Sequence, residues 1–150
     1  MAEILILGVL IAIVFYELTE LTPGGLVVPG LMVIYIGQPL RMVYTVAVAI
    51  AAYFIVKLLS RRFLIFGKRR FALLIIVSFV LHFAFNLILG LFLENLTQAA
   101  ISFVGYTCAG IIANNINKQG VVKTTLSLVI VVGILELVIV LLAALGVTFA

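Results

Sequence analysis

The chain has 150 residues, 67% hydrophobic and 9% charged, with a formal net charge of +4 and a mean hydropathy of +1.48. Soluble domains carry about a quarter charged residues, so this composition excludes a water-soluble globule and makes lipid the solvent. The length predicts one domain. The single cysteine, Cys108, excludes an intrachain disulfide and a cysteine-based metal site, and it reads as a small packing residue.

The first predicted helix, Ile4–Leu18, is slightly short for the ~20 residues that a span requires. Met1-Ala2-Glu3 carries no positive charge and no small-residue cleavage site follows, so the helix is expected to be retained rather than removed as a signal peptide. Glu17 and Glu20 close it. Next comes Thr22-Pro23-Gly24-Gly25-Leu26-Val27-Val28-Pro29-Gly30, which holds two of the three prolines inside a stretch uncharged from Leu21 to Leu40. Proline removes a backbone donor and glycine weakens helices, so Thr22 to about Gly37 is predicted to be a broken membrane segment. Irregular backbone is tolerated at that depth only where protein or water surrounds it, and such interruptions mark transport or binding sites. The alternative is a tight turn outside the membrane.

After Gln38-Pro39 and Arg41, a second helix is predicted over Met42–Leu59. A basic stretch follows: Lys57, Arg61, Arg62, Lys68, Arg69 and Arg70. Phe71–Leu93 reads as a third helix, long enough to span with some tilt, and Glu94 to Gln98 as a turn. Ala99–Ile116 is a weaker segment with Gly105, Gly110, Asn114 and Asn115, predicted as the second interruption. Asn117-Lys118-Gln119-Gly120 reads as another turn, before a final helix over Val121–Val147 with Glu136 near its middle. The expected fold is an all-α polytopic membrane helix bundle with two interrupted segments. It forms one transmembrane domain, residues 1–150, with half one at about 1–60, the basic loop at 57–70 and half two at 71–150.

A faint internal repeat supports two halves. Gly25 and Gly30 recur as Gly105 and Gly110 at an offset of 80, with a long helix after each pair. If both interruptions cross the membrane, the halves are inverted; if both dip in and return, they are parallel. Basic residues favour the cytoplasmic side. Six crossings place eight of the nine basic residues inside and Arg41 outside, whereas four crossings with re-entrant loops place six inside and three outside. Six crossings with both termini outside are therefore expected.

Ser78, His82, Asn86 and Gly90 are four apart and form one polar stripe on the third helix. They read as interhelical hydrogen-bonding groups, or as the lining of a polar conduit with a proton site at His82. Glu136 is expected to be protonated or partnered, with His82 as a candidate. No nucleophile or metal-ligand spacing accompanies them, so no catalytic residue is assigned. The basic stretch exceeds what orientation requires and suits an acidic partner or a polyanion, not a nucleic acid, since no such module is present.

Several of these motifs carry a family resemblance. They are Glu17-x-Thr19, Gly25-Leu-Val-Val-Pro-Gly30, Gly67-Lys68-Arg69-Arg70-Phe71-Ala72, Gly110-Ile-Ile-Ala-Asn114 and Lys118-Gln119-Gly120. In that order the chain resembles the CapC/PgsC family, the C-type membrane subunit of bacterial poly-γ-glutamate synthase, through nearly its whole length. One departure is Cys108-Ala109-Gly110 where family members can carry a second Val-Pro-Gly. The resemblance implies a multi-pass protein of the bacterial cytoplasmic membrane that works in capsule or polymer formation. Its expected partners are a cytoplasmic B-type ligase, which uses ATP and a divalent metal, further synthase and export subunits, and the polymer itself. This chain has no phosphate-binding Gly-x4-Gly-Lys-Ser/Thr pattern and is expected to hold no cofactor of its own. In this reading Arg61, Arg62, Lys68, Arg69, Arg70 and Lys118 contact the partner or polyanion. Glu17, Gly25, Pro29, Gly30, Gly110, Asn114, Gln119 and Gly120 form the broken-segment motif. The rival classes are a small secondary transporter or channel, and a membrane acyl- or amide-transferring enzyme using His82, Glu94 or Glu136. Small-residue faces such as Ala47/Ala51 leave room for a homo-oligomer.

Overall fold

In lipid every backbone donor and acceptor must be met within the protein, which favours helices. The computed structural model describes residues 2–64, 67–92 and 106–147, and among these it contains six helices and no strand. They are α1 (Ala2–Thr19), α2 (Val28–Ile34), α3 (Pro39–Leu59), α4 (Lys68–Phe92), α5 (Tyr106–Gln119) and α6 (Val121–Ala144). Among the described residues three stretches are long and apolar enough to cross a membrane: Pro39–Leu59, Lys68–Ile88 and Val121–Ala144. Large apolar side chains including Leu10, Phe54, Phe83, Leu137 and Val140 are more than half exposed, as lipid-facing groups are. The core instead gathers small residues, with Ala49, Ala52, Ala109 and Ala113 fully buried among Met32, Val56, Ile112 and Leu135. Close backbone approach and dispersion hold such helices together, because lipid supplies no hydrophobic drive between them.

Several expected boundaries shift. Pro29 and Pro39 sit in the first turns of α2 and α3, where the missing N–H costs nothing, so the prolines start helices rather than only ending them. Lys68, Arg69 and Arg70 form the first turn of α4 instead of a loop. The second interruption is not broken where it is described: α5 runs unbroken through Gly110 and Asn114, and the expected turn at 117–119 is its last turn. Only Gly120, at φ +93°, separates α5 from α6, and its N–H closes α5 on the Ile116 carbonyl. A helical glycine costs about 1 kcal/mol relative to alanine, but Gly110 lets α4 approach closely: a Cβ there would lie 2.9 Å from the Ile75 Cα. The predicted turn at Glu94 to Gln98, Gly105 and the start of the second interruption lie outside the described residues.

Printed contacts fix the helix directions. Gly24 lies against Leu128, and the Ser127 hydroxyl reaches the Thr22 carbonyl. Further along α6, Gly8, Gly30 and Leu135 meet at one level. α2 therefore runs parallel to α6, and α1 antiparallel to both. Hydrogen-bonded turns through Tyr35–Gln38 then deliver the chain to Pro39, and α3 returns along α6, its residues Pro39–Ile50 facing Thr125–Glu136 across a groove. α4 pairs antiparallel with α3, Tyr44 meeting His82. The result is two inverted halves. α2 packs on α1 of its own half and α6 of the other; α5 packs on α4 of its own half and α3 of the other. Gly30 and Gly110, 80 positions apart, each hold a close crossing with the first helix of their half.

Candidate functional site

The Pro-Gly-Gly segment is where the halves lock. Gly24 and Gly25 take φ of +69° and +114°, which L side chains rarely adopt, and a Cβ on Gly25 would fall 2.7 Å from the Ile111 side chain. This turn presents the Thr22 peptide to α5 and α6. The Gln119 amide grips that peptide from both sides: the Thr22 N–H donates to Gln119 Oε1 at 3.1 Å, and Gln119 Nε2 donates to the Thr22 carbonyl. The Thr22 hydroxyl donates to Asn115 Oδ1 at 2.9 Å, while Asn115 Nδ2 donates to the Ile111 carbonyl at 3.0 Å. Ser127 adds a longer bond, 3.3 Å, to the Thr22 carbonyl. Every group in this clasp is neutral, and together they hold the irregular backbone against α5 and α6.

Of the residues singled out by sequence, Gly25 and Gln119 meet in the clasp, and Gly120 forms the adjoining break. Pro29 and Gly30 are buried one turn further along, at the crossing with α1. Asn114 is half-buried on α5, whereas its neighbour Asn115 makes the contact. Glu17 is exposed near the end of α1. Thr22, Asn115 and Ser127 were not named as site residues; uncharged polar groups in an apolar stretch were the signal that could have found them.

The stripe on α4 divides. Ser78 is fully buried and donates to the Leu74 carbonyl of its own helix at 2.7 Å. His82, 3% exposed, bridges helices: Asn86 Nδ2 donates to its Nε2 at 2.9 Å, and its Nδ1 lies 3.3 Å from the Tyr44 hydroxyl on α3. The Tyr44 ring also meets His82 and Phe85 edge-on at 5.9 and 6.0 Å. Tyr44 is a partner that the sequence pattern of α4 alone could not supply. Nothing is described for the Gly90 side of the stripe. Glu136 is placed elsewhere, exposed and lining the α3–α6 groove, whereas His82 is buried between α3 and α4.

At the end of the bundle where α3 finishes and α4 and α6 begin, Arg61, Arg62, Lys68 and Arg69 are exposed and Arg70 is half-buried. Lys118 and Lys123, also exposed, lie at that same end, because α5 ends and α6 starts beside Thr22. Arg41 sits at the opposite end, its guanidinium carbon 5.8 Å from the centre of the Tyr35 ring. Among the described residues no group of three or more His, Cys, Asp or Glu could hold a metal ion.

Comparison with known proteins places these features in a family. The sequence profile described as capsule biosynthesis CapC matches residues 7–125. The chain is 36% identical over 121 residues to the PGA biosynthesis protein CapC of Bacillus subtilis (strain 168), covering 80% of each chain. It is 32% identical over 121 residues to the capsule biosynthesis protein CapC of Bacillus anthracis, again over 80% of each. No solved structure matches it.

Proposed function

The chain belongs to the CapC family of capsule biosynthesis, and from that premise we propose that it is the membrane subunit of a poly-γ-glutamate synthesis and export machinery. It sits multi-pass in the bacterial cytoplasmic membrane and docks a cytoplasmic ATP-dependent ligase on its basic end. ATP and the divalent metal belong to that ligase. The relative in Bacillus subtilis is named for PGA biosynthesis, and the polymer that name denotes is the anionic product whose exit this chain assists.

The observation that carries this reading is the segregation of charge. Eight of the nine basic residues gather at one end of an otherwise apolar bundle, with Arg41 alone at the other. Positive charge marks the cytoplasmic side, and a cluster this dense raises the local concentration of acidic partners and polyanions. The inverted packing of the halves supports six crossings, with the Thr22 clasp facing the cytoplasm. The same inverted arrangement also suits a small secondary transporter, which would move solute or protons in liposomes holding this chain alone.

The test co-expresses the ligase with either the native chain or the quadruple variant Arg61→Gln, Arg62→Gln, Lys68→Gln, Arg69→Gln. All four side chains are exposed, so the bundle should persist. The expected result is ligase released to the soluble fraction and glutamate incorporation lost from membranes. Ligase retained in the membrane at its native level would refute the docking role.

A further inference from the structure

Helix α2 passes Gly30, where Gly8 of α1 and Leu135 of α6 meet it. It runs only four residues further, about 6 Å, to Ile34. The turns over Tyr35–Gln38 then start α3 at Pro39. On the same side of that meeting level α6 continues nine residues, about 14 Å, to Ala144, and α1 reaches six residues, about 9 Å, to Ala2. The first turn of α3 is therefore recessed between longer apolar helices rather than raised above them, and Arg41 lies in it.

Arg41 is the one basic residue at that end of the bundle, the other eight lying at the opposite end. Its guanidinium carbon is 5.8 Å from the centre of the Tyr35 ring, and its Nε is buried with no acceptor among the described residues. Glu136 does not serve as its counter-ion. That carboxylate lines the groove with Val43 and Ile50, which lie on the opposite face of α3 from Arg41. An arginine within a membrane bundle faces protein or water, finds a partner, and marks the path of an ion or substrate. The chemistry that completes this one is an oxyanion. A guanidinium held on an aromatic ring is a pre-set fork, and a carboxylate accepts from its Nε and one Nη together.

We infer that Arg41, held on Tyr35, is a carboxylate-binding site on the outer side of the bundle that takes the side-branch carboxylates of the emerging polymer. This inference rests on the polymer reading for the identity of its ligand. A lipid phosphate fits the same fork, but phosphates lie at the helix ends and Arg41 is recessed from the ends of α1 and α6. The uneven charge suits passage in one direction. Many cations gather the polyanion inside, whereas a single contact outside binds weakly enough for each carboxylate to leave as the next arrives.

Two measurements test the site. The first is NMR of the full native chain, labelled with nitrogen-15 at arginine, in phosphatidylcholine nanodiscs. The Arg41 Nε–H signal, identified by its loss in Arg41→Lys, should shift saturably on adding a γ-linked glutamate pentamer and stay still with a γ-linked glutamine pentamer. No shift with the glutamate pentamer would overturn the site. So would an equal shift when phosphatidylglycerol replaces part of the phosphatidylcholine without any oligomer, because the ligand would then be a lipid phosphate. The second follows polymer in cells that also hold the ligase. In Arg41→Gln the share of polymer reaching the medium should fall at least about tenfold, the factor that losing one charged hydrogen bond carries. Arg41→Lys, which keeps the charge without the fork, should fall between. A native share in Arg41→Gln would overturn the role in exit. If the native chain and ligase together make no polymer, the subunit reading fails, and the pentamer titration still decides whether Arg41 binds carboxylate.

Discussion

Replacing Gln119 by alanine tests whether the clasp holds the two halves together. The side chain makes two hydrogen bonds to one peptide, accepting from the Thr22 N–H and donating to the Thr22 carbonyl. The carbonyl keeps a bond from Ser127 at 3.3 Å, but the N–H loses its acceptor. Side-chain hydrogen bonds in membrane proteins average about 0.6 kcal/mol and reach about 1.7, and a buried donor left unmet costs about 1–3 kcal/mol. Alanine returns a few tenths of a kcal/mol in helix propensity. The net expectation is a loss of about 2 kcal/mol, roughly thirtyfold in the folded-to-unfolded ratio. The assay is reversible unfolding in mixed micelles, followed by circular dichroism. Lys118→Ala, at an exposed neighbour on the same turn, serves as the control and should stay within about 0.5 kcal/mol of the native chain. If Gln119→Ala also stays within that margin, the clasp is not what fixes the Pro-Gly-Gly turn.

Two glycines should respond with opposite signs in the same assay. Gly8→Ala puts a Cβ 2.5 Å from the Gly30 Cα, a backbone atom that cannot rotate away, so α1 and α2 must separate at a cost of about 1–3 kcal/mol; Gly133→Ala meets open space and should stabilise α6 by up to about 1 kcal/mol. The proposed orientation predicts cysteine accessibility in intact cells, and Cys108, 1% exposed, contributes little background. Gly37→Cys should react with a membrane-impermeant maleimide, while Lys118→Cys should react only after lysis; the reverse pattern would refute the six-crossing arrangement with the basic end inside.

Much of the bundle was legible because lipid simplifies the code. With 9% charged residues, nearly every charge marks a helix end, and Lys57 to Arg70 announced the turn between α3 and α4. Gly30 and Gly110 could be paired by spacing, since close helix crossings demand small residues at fixed levels. Glycine and asparagine misled in the second half. Gly110 and Asn114 looked like an interruption but lie within α5, because the close approach of Ile75 and the short turn at Gly120 suit a continuous helix.

The sequence by itself determined an all-helical chain in lipid, its division into two halves and the uneven placement of positive charge. These follow from composition and spacing, which act locally along the chain. The tertiary structure alone decided that Gln119 grips Thr22, 97 positions away, that His82 meets Tyr44 on α3, and that Glu136 opens onto a groove rather than facing His82. Those pairings depend on the rotation and depth of each helix against its neighbours, and in lipid these are set by small-residue contacts that only the assembled bundle brings together.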